Sequence, residues 1–135
     1  MKKILALLIL LLATVTAGFA RTADALTPDA ETVTFRFRAG AEMFLLKGNE
    51  AELTRLYALV DTYREQIADG RIPVYVDGYC ASLPTAKENR RTAYLRASRV
   101  KSELVTQKGL REVDFRTTLH TGASDGGKEA VTVTL

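Results

Sequence analysis

The residues best placed to bind a ligand lie at the end of one strand and on the helix that follows it. Segment 76–80 reads as the end of a strand, and Asn89 and Arg96 lie on the helix. With Ala93 set at zero on a helical wheel, Asn89 lies at about −40° and Arg96 at about −60°. Both therefore border the apolar stripe. An arginine there packs its stem on the sheet and presents its guanidinium to a carboxylate.

Two of these assignments have structural alternatives. The guanidinium of Arg96 could instead pair with an acid of the same chain, such as Asp77 or Glu88, without any ligand. Tyr75 and Tyr79 on the strand are also open to two interpretations, because aromatic rings stack on sugars and equally fill the covered face of a sheet.

The other reactive side chains are too few for most catalytic or metal sites. The chain has one cysteine, Cys80, and one histidine, His120. It therefore lacks the residues for an internal disulfide, for a Cys/His zinc site and for a histidine-dependent nucleophilic triad. A lone cysteine on an apolar strand face is typical of a core position. The spacing of the nearby acids Asp77 and Glu88 does not fix the geometry that glycan hydrolysis needs. We therefore predict a protein that is not an enzyme, with no metal and no cofactor.

Alternating and helical patterns predict the elements that position these residues. Strands are predicted at 32–38, 72–80, 113–120 and 129–135, and helices at 50–69 and 85–108. Period 2 places Phe35 and Val113 on buried strand faces, and Asn49 is predicted as the N-cap of the first helix. The order strand-helix-strand-helix-strand-strand predicts an α/β two-layer sandwich, with the helices on one face of a mixed sheet. The second strand is expected to be interior.

Residues 1–20 read as a signal peptide. Lys2 and Lys3 form its positive region, 4–12 its apolar region, and 18–20 a site with small residues for cleavage after Ala20. Cleavage after Ala17 and an uncleaved anchor are the alternatives. Segment 21–30 has no periodicity and is predicted to be a flexible lead. We expect export to the periplasm or to the outer membrane, and a cleaved product that is not an integral membrane protein.

Composition narrows the class of partner. The chain has 135 residues, 47% of them hydrophobic and 26% charged, which excludes collagen-like and disordered classes. Without Lys2 and Lys3, 17 basic side chains remain against 16 acidic ones, so the net charge falls from +3 to +1. A charge so close to zero does not favour nucleic acid as a partner.

The sequence resembles the OmpA-like domain, the periplasmic peptidoglycan-associating module of bacterial envelope proteins. That family has a Phe-rich first strand, a second strand ending in Gly-His-Thr-Asp, and a helix carrying Asn and then Arg-Ala-x-x-Val. Here the corresponding residues are Phe35–Phe37, Gly78–Ala81, Asn89 and Arg96–Val100. The interval from Asn89 to Arg96 matches that of the family. The resemblance covers residues 31–135 and implies an OmpA-like domain there.

The resemblance implies a site for diaminopimelate of the peptidoglycan stem peptide. In the family, the Asp binds its ammonium and the Arg binds its carboxylate. Arg96 matches that Arg, but the Asp falls on Ala81, and the family's Arg-Arg before the last strand falls on Glu129 and Ala130. Half of the ligand clamp is therefore missing.

Segment 78–84 is similar to the Gly-Tyr-Ala-Ser-Pro loop of some relatives, in which Ser82 could supply a hydroxyl. The candidate ligand-binding residues are Arg96, Asn89, Ser82 and Tyr79. Two functions follow from the resemblance. One is a module that binds peptidoglycan, weakened by loss of the Asp. The other is an interaction or assembly protein, at the outer membrane or a surface appendage, that uses the same fold without binding the wall.

Overall fold

Four strands and three α-helices follow one another in the part of the chain that the computed structural model describes, residues 30–43 and 47–135. The strands are β1 (Thr32–Arg36), β2 (Val74–Tyr79), β3 (Phe115–His120) and β4 (Ala130–Thr134), and the helices are α1 (Glu50–Thr62), α2 (Arg64–Ala68) and α3 (Ala86–Lys108). The predicted signal peptide and nearly all of the predicted lead lie outside the described residues.

The strands form one mixed sheet in the order β1-β4-β2-β3. β4 pairs antiparallel with both β1 and β2, while β2 and β3 are parallel. The connection between the parallel strands β2 and β3 runs through α3, as parallel pairing requires. The predicted mixed sheet is confirmed, and so is the interior place of β2.

The helices cover one face of this sheet, so the predicted two-layer α/β sandwich is confirmed. α1 packs on β1, and α3 packs on β2, β3 and β4. Alternate strand residues point toward these helices and form one core with them. The core includes Val33, Phe35, Val74, Val76, Val131 and Val133 of the strands and Leu56, Val60, Ala97, Val100 and Leu104 of the helices.

Caps at both ends explain why α3 spans its full length. Thr85 and Glu88 form a reciprocal capping box at the N-terminus, in which the Thr85 hydroxyl accepts a hydrogen bond from the Glu88 N–H at 3.2 Å. Gly109 ends the helix with a left-handed φ of 69°, which glycine adopts without the Cβ penalty. The capping box thereby fixes the first turn of α3 shortly after the end of β2. Within the described ranges, no helix is both long and apolar enough to cross a bilayer.

Asn49 is the N-cap residue of α1, as predicted, although its side chain makes no capping bond and instead bonds both backbone groups of Arg36, at 3.1 and 3.0 Å. Two other predicted details differ from the structure. The single helix predicted after Asn49 is divided at Tyr63 into α1 and α2.

Val113 was expected to face the core, and this is wrong. It is 69% exposed in a 3₁₀ turn, Glu112–Asp114, that precedes β3. Asp114 is buried instead, because its carboxylate accepts hydrogen bonds from the Arg111 backbone N–H at 2.7 Å and from the Arg111 Nη2 at 2.9 Å. These charge-assisted bonds favour the turn over continued strand.

Candidate functional site

The site is built where α3 lies closest to β2. Gly78 of β2 faces α3, and a Cβ there would overlap the Ala93 carbonyl oxygen and lie 3.2 Å from the Ala97 Cβ. Ala93 and Ala97 are themselves small and fully buried, so the helix backbone rests almost directly on the strand. This close approach brings Arg96, one turn beyond Ala93, beside the end of β2.

Arg96 is completely buried and is hydrogen-bonded to three backbone carbonyls. Its Nη1 donates to the Tyr79 oxygen at 2.7 Å, its Nε to the Ala41 oxygen at 2.6 Å, and its Nη2 to the Arg38 oxygen at 3.0 Å. The guanidinium carbon also lies 5.2 Å from the centre of the Phe37 ring, within the range of a cation–π contact. The guanidinium thus joins the end of β2 to the segment that follows β1.

A further partner of Arg96 is the carboxylate of Glu129, which directly precedes β4. Arg96 Nη2 lies 3.2 Å from Glu129 Oε1, and the Ala81 N–H donates to Glu129 Oε2 at 3.0 Å. The Ser82 hydroxyl also donates to Oε1. We call these three donors, on Ala81, Ser82 and Arg96, the carboxylate cradle. Only 18% of the Glu129 side chain is exposed.

This arrangement corrects one expectation about Arg96. Its guanidinium was expected to be free at the border of the helix, and it is instead buried and paired with an acid of the same chain. That acid is neither Asp77 nor Glu88. Asp77 pairs with His120 at 2.8 Å, and Glu88 takes part in the cap of α3.

The cradle keeps Glu129 ionised. Partial burial alone would raise its pKa, but the hydrogen bonds from Ser82, Ala81 and Arg96 together outweigh burial and hold the pKa below its usual value. Because the unfolded chain takes up this proton at a higher pH than the folded one, Glu129 stabilises the fold at neutral pH. That contribution is lost as the pH falls through the folded pKa.

We therefore expect Glu129→Gln to be less stable than wild type at about pH 7, by a margin that shrinks as the pH falls from about 5 through the folded pKa of Glu129. Urea unfolding of both proteins across this range measures the margin. Other acids with lowered pKa values, Asp61 and Asp114, are present in both proteins and cancel in the comparison. A margin that does not change with pH would contradict the role assigned to Glu129.

Asn89 positions the loop that carries the cradle. Its side chain is buried and bonds both backbone groups of Leu83, accepting from the N–H at 2.9 Å and donating to the carbonyl at 3.2 Å. The buried Cys80 thiol donates to Asn89 Oδ1 at 3.3 Å, so the predicted core position of Cys80 is confirmed. The Gly40 N–H in turn donates to the Ser82 hydroxyl at 2.9 Å. Ser82 is therefore fixed from two sides.

Tyr79 contributes to the site through its backbone. Its carbonyl accepts from Arg96, while its ring stacks on His120 with centroids 4.3 Å apart and lies 5.0 Å from the Lys128 Nζ. Burial, reinforced by the charge of Asp77, raises the pKa of the Tyr79 hydroxyl. Of the four candidate residues, the structure brings Arg96, Asn89 and Ser82 together around one loop, and the Tyr79 ring belongs to a separate cluster.

Glu129 is the residue that sequence reasoning missed as part of the site. Its signal was present, since the OmpA-like pattern has an arginine where this chain has Glu129. A reversed charge at that place, together with a retained Arg96, indicates an internal ion pair. Nothing local in the sequence predicted the backbone carbonyls of Arg38 and Ala41 as partners. In the described ranges, no cluster of three His, Cys, Asp or Glu side chains is arranged to hold a metal ion.

Solved structures of bacterial envelope proteins are similar to this chain. An outer membrane protein from Borrelia burgdorferi B31 matches with 12% identity and a TM-score of 0.59, over 78% of this chain and 86% of its own. The peptidoglycan-associated lipoprotein from Burkholderia pseudomallei matches with 13% identity and a TM-score of 0.56, over 76% of this chain and 89% of its own. The OmpA-like domain of FopA1 from Francisella tularensis subsp. tularensis SCHU S4 matches with 19% identity and a TM-score of 0.54, over 82% and 76%.

These similarities establish the fold at low sequence identity. No protein-family model matches the chain, and no curated protein is significantly similar to it in sequence. The mixed four-stranded sheet with its helices on one face is nevertheless an OmpA-like fold.

Proposed function

We propose that this chain is a non-enzymatic module of the bacterial cell envelope that associates non-covalently with the stem peptide of peptidoglycan. The observation that carries this proposal is the carboxylate cradle, a set of donors from Ala81, Ser82 and Arg96 that already holds one carboxylate at the end of β2. Stem peptides are rich in carboxylates, and the fold is that of proteins that include a peptidoglycan-associated lipoprotein. A location in the periplasm or at the outer membrane follows from the same proposal.

Each candidate residue has a role in this proposal. Arg96 supplies the positive charge for a stem-peptide carboxylate, and Ser82 adds a neutral hydrogen bond. Asn89 positions the loop between them, and the Tyr79 carbonyl fixes the orientation of the guanidinium. A non-catalytic role is supported by Asp77 and Glu88, since the carboxylate of Asp77 pairs with His120 and that of Glu88 accepts hydrogen bonds from Thr85.

Sedimentation with insoluble peptidoglycan sacculi tests the proposal. Wild type is expected in the pellet with diaminopimelate-containing sacculi, and a soluble muropeptide of the same composition is expected to displace it. The variant Ala81→Asp should bind roughly tenfold to a hundredfold more tightly, because a carboxylate there can receive the diaminopimelate ammonium. Ala86→Asp adds the same charge at the exposed start of α3 and serves as the control, with binding like that of wild type.

A second candidate function is favoured by the burial of Arg96. Because the guanidinium is 0% exposed and already bonds three backbone carbonyls and the Glu129 carboxylate, the same fold could serve a protein–protein assembly at the outer membrane or a surface appendage. Wild type that stays in the supernatant at every sacculus concentration would contradict wall binding. If Ala81→Asp then pellets, the chain has the scaffold of a wall-binding domain without its activity, and the assembly function is preferred.

A further inference from the structure

The carboxylate cradle and the acid that fills it come from different parts of the chain. The donors belong to the loop after β2 and to α3, whereas Glu129 comes from the segment before β4. Each donor group is also anchored without Glu129, because Arg96 bonds three carbonyls, Ser82 bonds Gly40, and the loop is held by Asn89. The Glu129 side chain can therefore be removed without removing any part of the cradle.

Removing that side chain would leave a strong anion site with no anion. Arg96 would keep its charge in a completely buried place, and a buried cation without its counter-ion is strongly unfavourable. The Ala81 N–H and the Ser82 O–H would both lose their acceptor. All three groups point at the volume that the Glu129 carboxylate occupies.

We infer that Glu129 is an internal occupant of a carboxylate-binding site, so that it and an external carboxylate exclude one another. Because Glu129 is tethered to the site, its effective concentration is on the order of millimolar or higher, and a free carboxylate competes poorly with it. The inference rests on the proposed function only for the identity of the natural ligand, a stem-peptide carboxylate. The competition itself follows from the contacts of Glu129.

Rescue by acetate tests this inference directly. In the Glu129→Ala variant, sodium acetate is expected to raise the Tm by about 4 °C or more relative to sodium chloride at equal ionic strength. Wild type, whose cradle is full, should show no such difference. If Glu129→Ala is unfolded in chloride, acetate should restore its folded circular dichroism spectrum. Failure of acetate to raise the Tm of a folded variant, or to refold an unfolded one, would overturn the inference.

Two further variants separate occupancy from loss of charge. Glu129→Gln keeps a side chain of similar size that can still accept from Ala81 and Ser82, so it should not respond to acetate. Glu112→Ala removes an acid that is 76% exposed and paired with Lys101, and it should behave as wild type does. A response of either variant equal to that of Glu129→Ala would show an unspecific effect of acetate and contradict the inference.

Sacculus sedimentation of the same variants separates this inference from the proposed function. If both hold, Glu129→Ala should bind sacculi at least about tenfold more tightly than wild type. Acetate rescue without binding to sacculi would leave the inference standing and remove the proposed ligand. If wild type binds sacculi and a folded Glu129→Ala does not, the proposed function would stand and the inference would be overturned, because Glu129 would then contact the ligand itself.

Discussion

Replacement of Arg96 by methionine is expected to lower the free energy of unfolding by about 3–5 kcal/mol, the usual cost of removing one partner of a buried ion pair. Methionine fills much of the volume of the arginine stem but donates no hydrogen bond. The carbonyls of Arg38, Ala41 and Tyr79 and the carboxylate of Glu129 would all lose a donor.

Denaturant unfolding of wild type and Arg96→Met measures this loss. Arg99→Met is the matched control, because Arg99 lies on the same helix, is about half exposed and approaches Glu42 only to 3.8 Å. Its effect should stay within about 1 kcal/mol. An Arg96→Met protein as stable as the control would mean that water or a neighbouring side chain satisfies these groups, and the buried network would then be energetically unimportant.

Gly78→Val should destabilise the fold by about 3 kcal/mol, at the upper end of what overpacking usually costs. Any side chain at this position overlaps the Ala93 carbonyl oxygen, which is backbone and cannot rotate away. The strand cannot yield easily either, because β2 is paired with β4 on one side and β3 on the other. The helix must therefore move outward along the length that holds Arg96.

Thermal or denaturant unfolding again measures the effect, and Thr118→Val is the control for adding a valine to the sheet. Thr118 is exposed on β3 and pairs with Asp77 in the neighbouring strand, so its change should be close to neutral. The loss of stability in Gly78→Ala should lie between the losses in Gly78→Val and Thr118→Val. A Gly78→Val protein with wild-type stability would show that α3 has room to shift, and the close approach would not be what positions Arg96.

The predictable part of the fold was the part that each segment encodes locally. Alternation in β1 predicted the burial of Val33 and Phe35, and the cap and stop residues of α3 predicted its limits. Val113 followed the same alternation and was placed wrongly, because the bonds of Asp114 to Arg111 bend the backbone before the strand begins. A period-2 pattern gives no information about this competition between local side-chain hydrogen bonds and strand pairing.

The candidate site was predictable only in part, for a related reason. The helical spacing of Asn89 and Arg96 placed both beside the apolar stripe of α3, but it did not predict that both side chains are buried. The partner of Arg96 depends on strand order, because β4 inserts between β1 and β2 and brings Glu129 to the end of β2. Pairing between distant strands is not encoded in the pattern of any one strand. The sequence could thus suggest an internal acid without identifying it.

The contacts of Arg96 also bear on the order of events in folding. They join it to Ala41, Tyr79, Arg38 and Glu129, which lie 55, 17, 58 and 33 positions away in the sequence. Each contact requires the closure of a different loop, and the full set requires that β4 has already inserted beside β2. We expect bonds of this kind to form late, after the transition state. The buried arginine is therefore expected to slow the unfolding of the domain and to have little influence on how fast the domain folds.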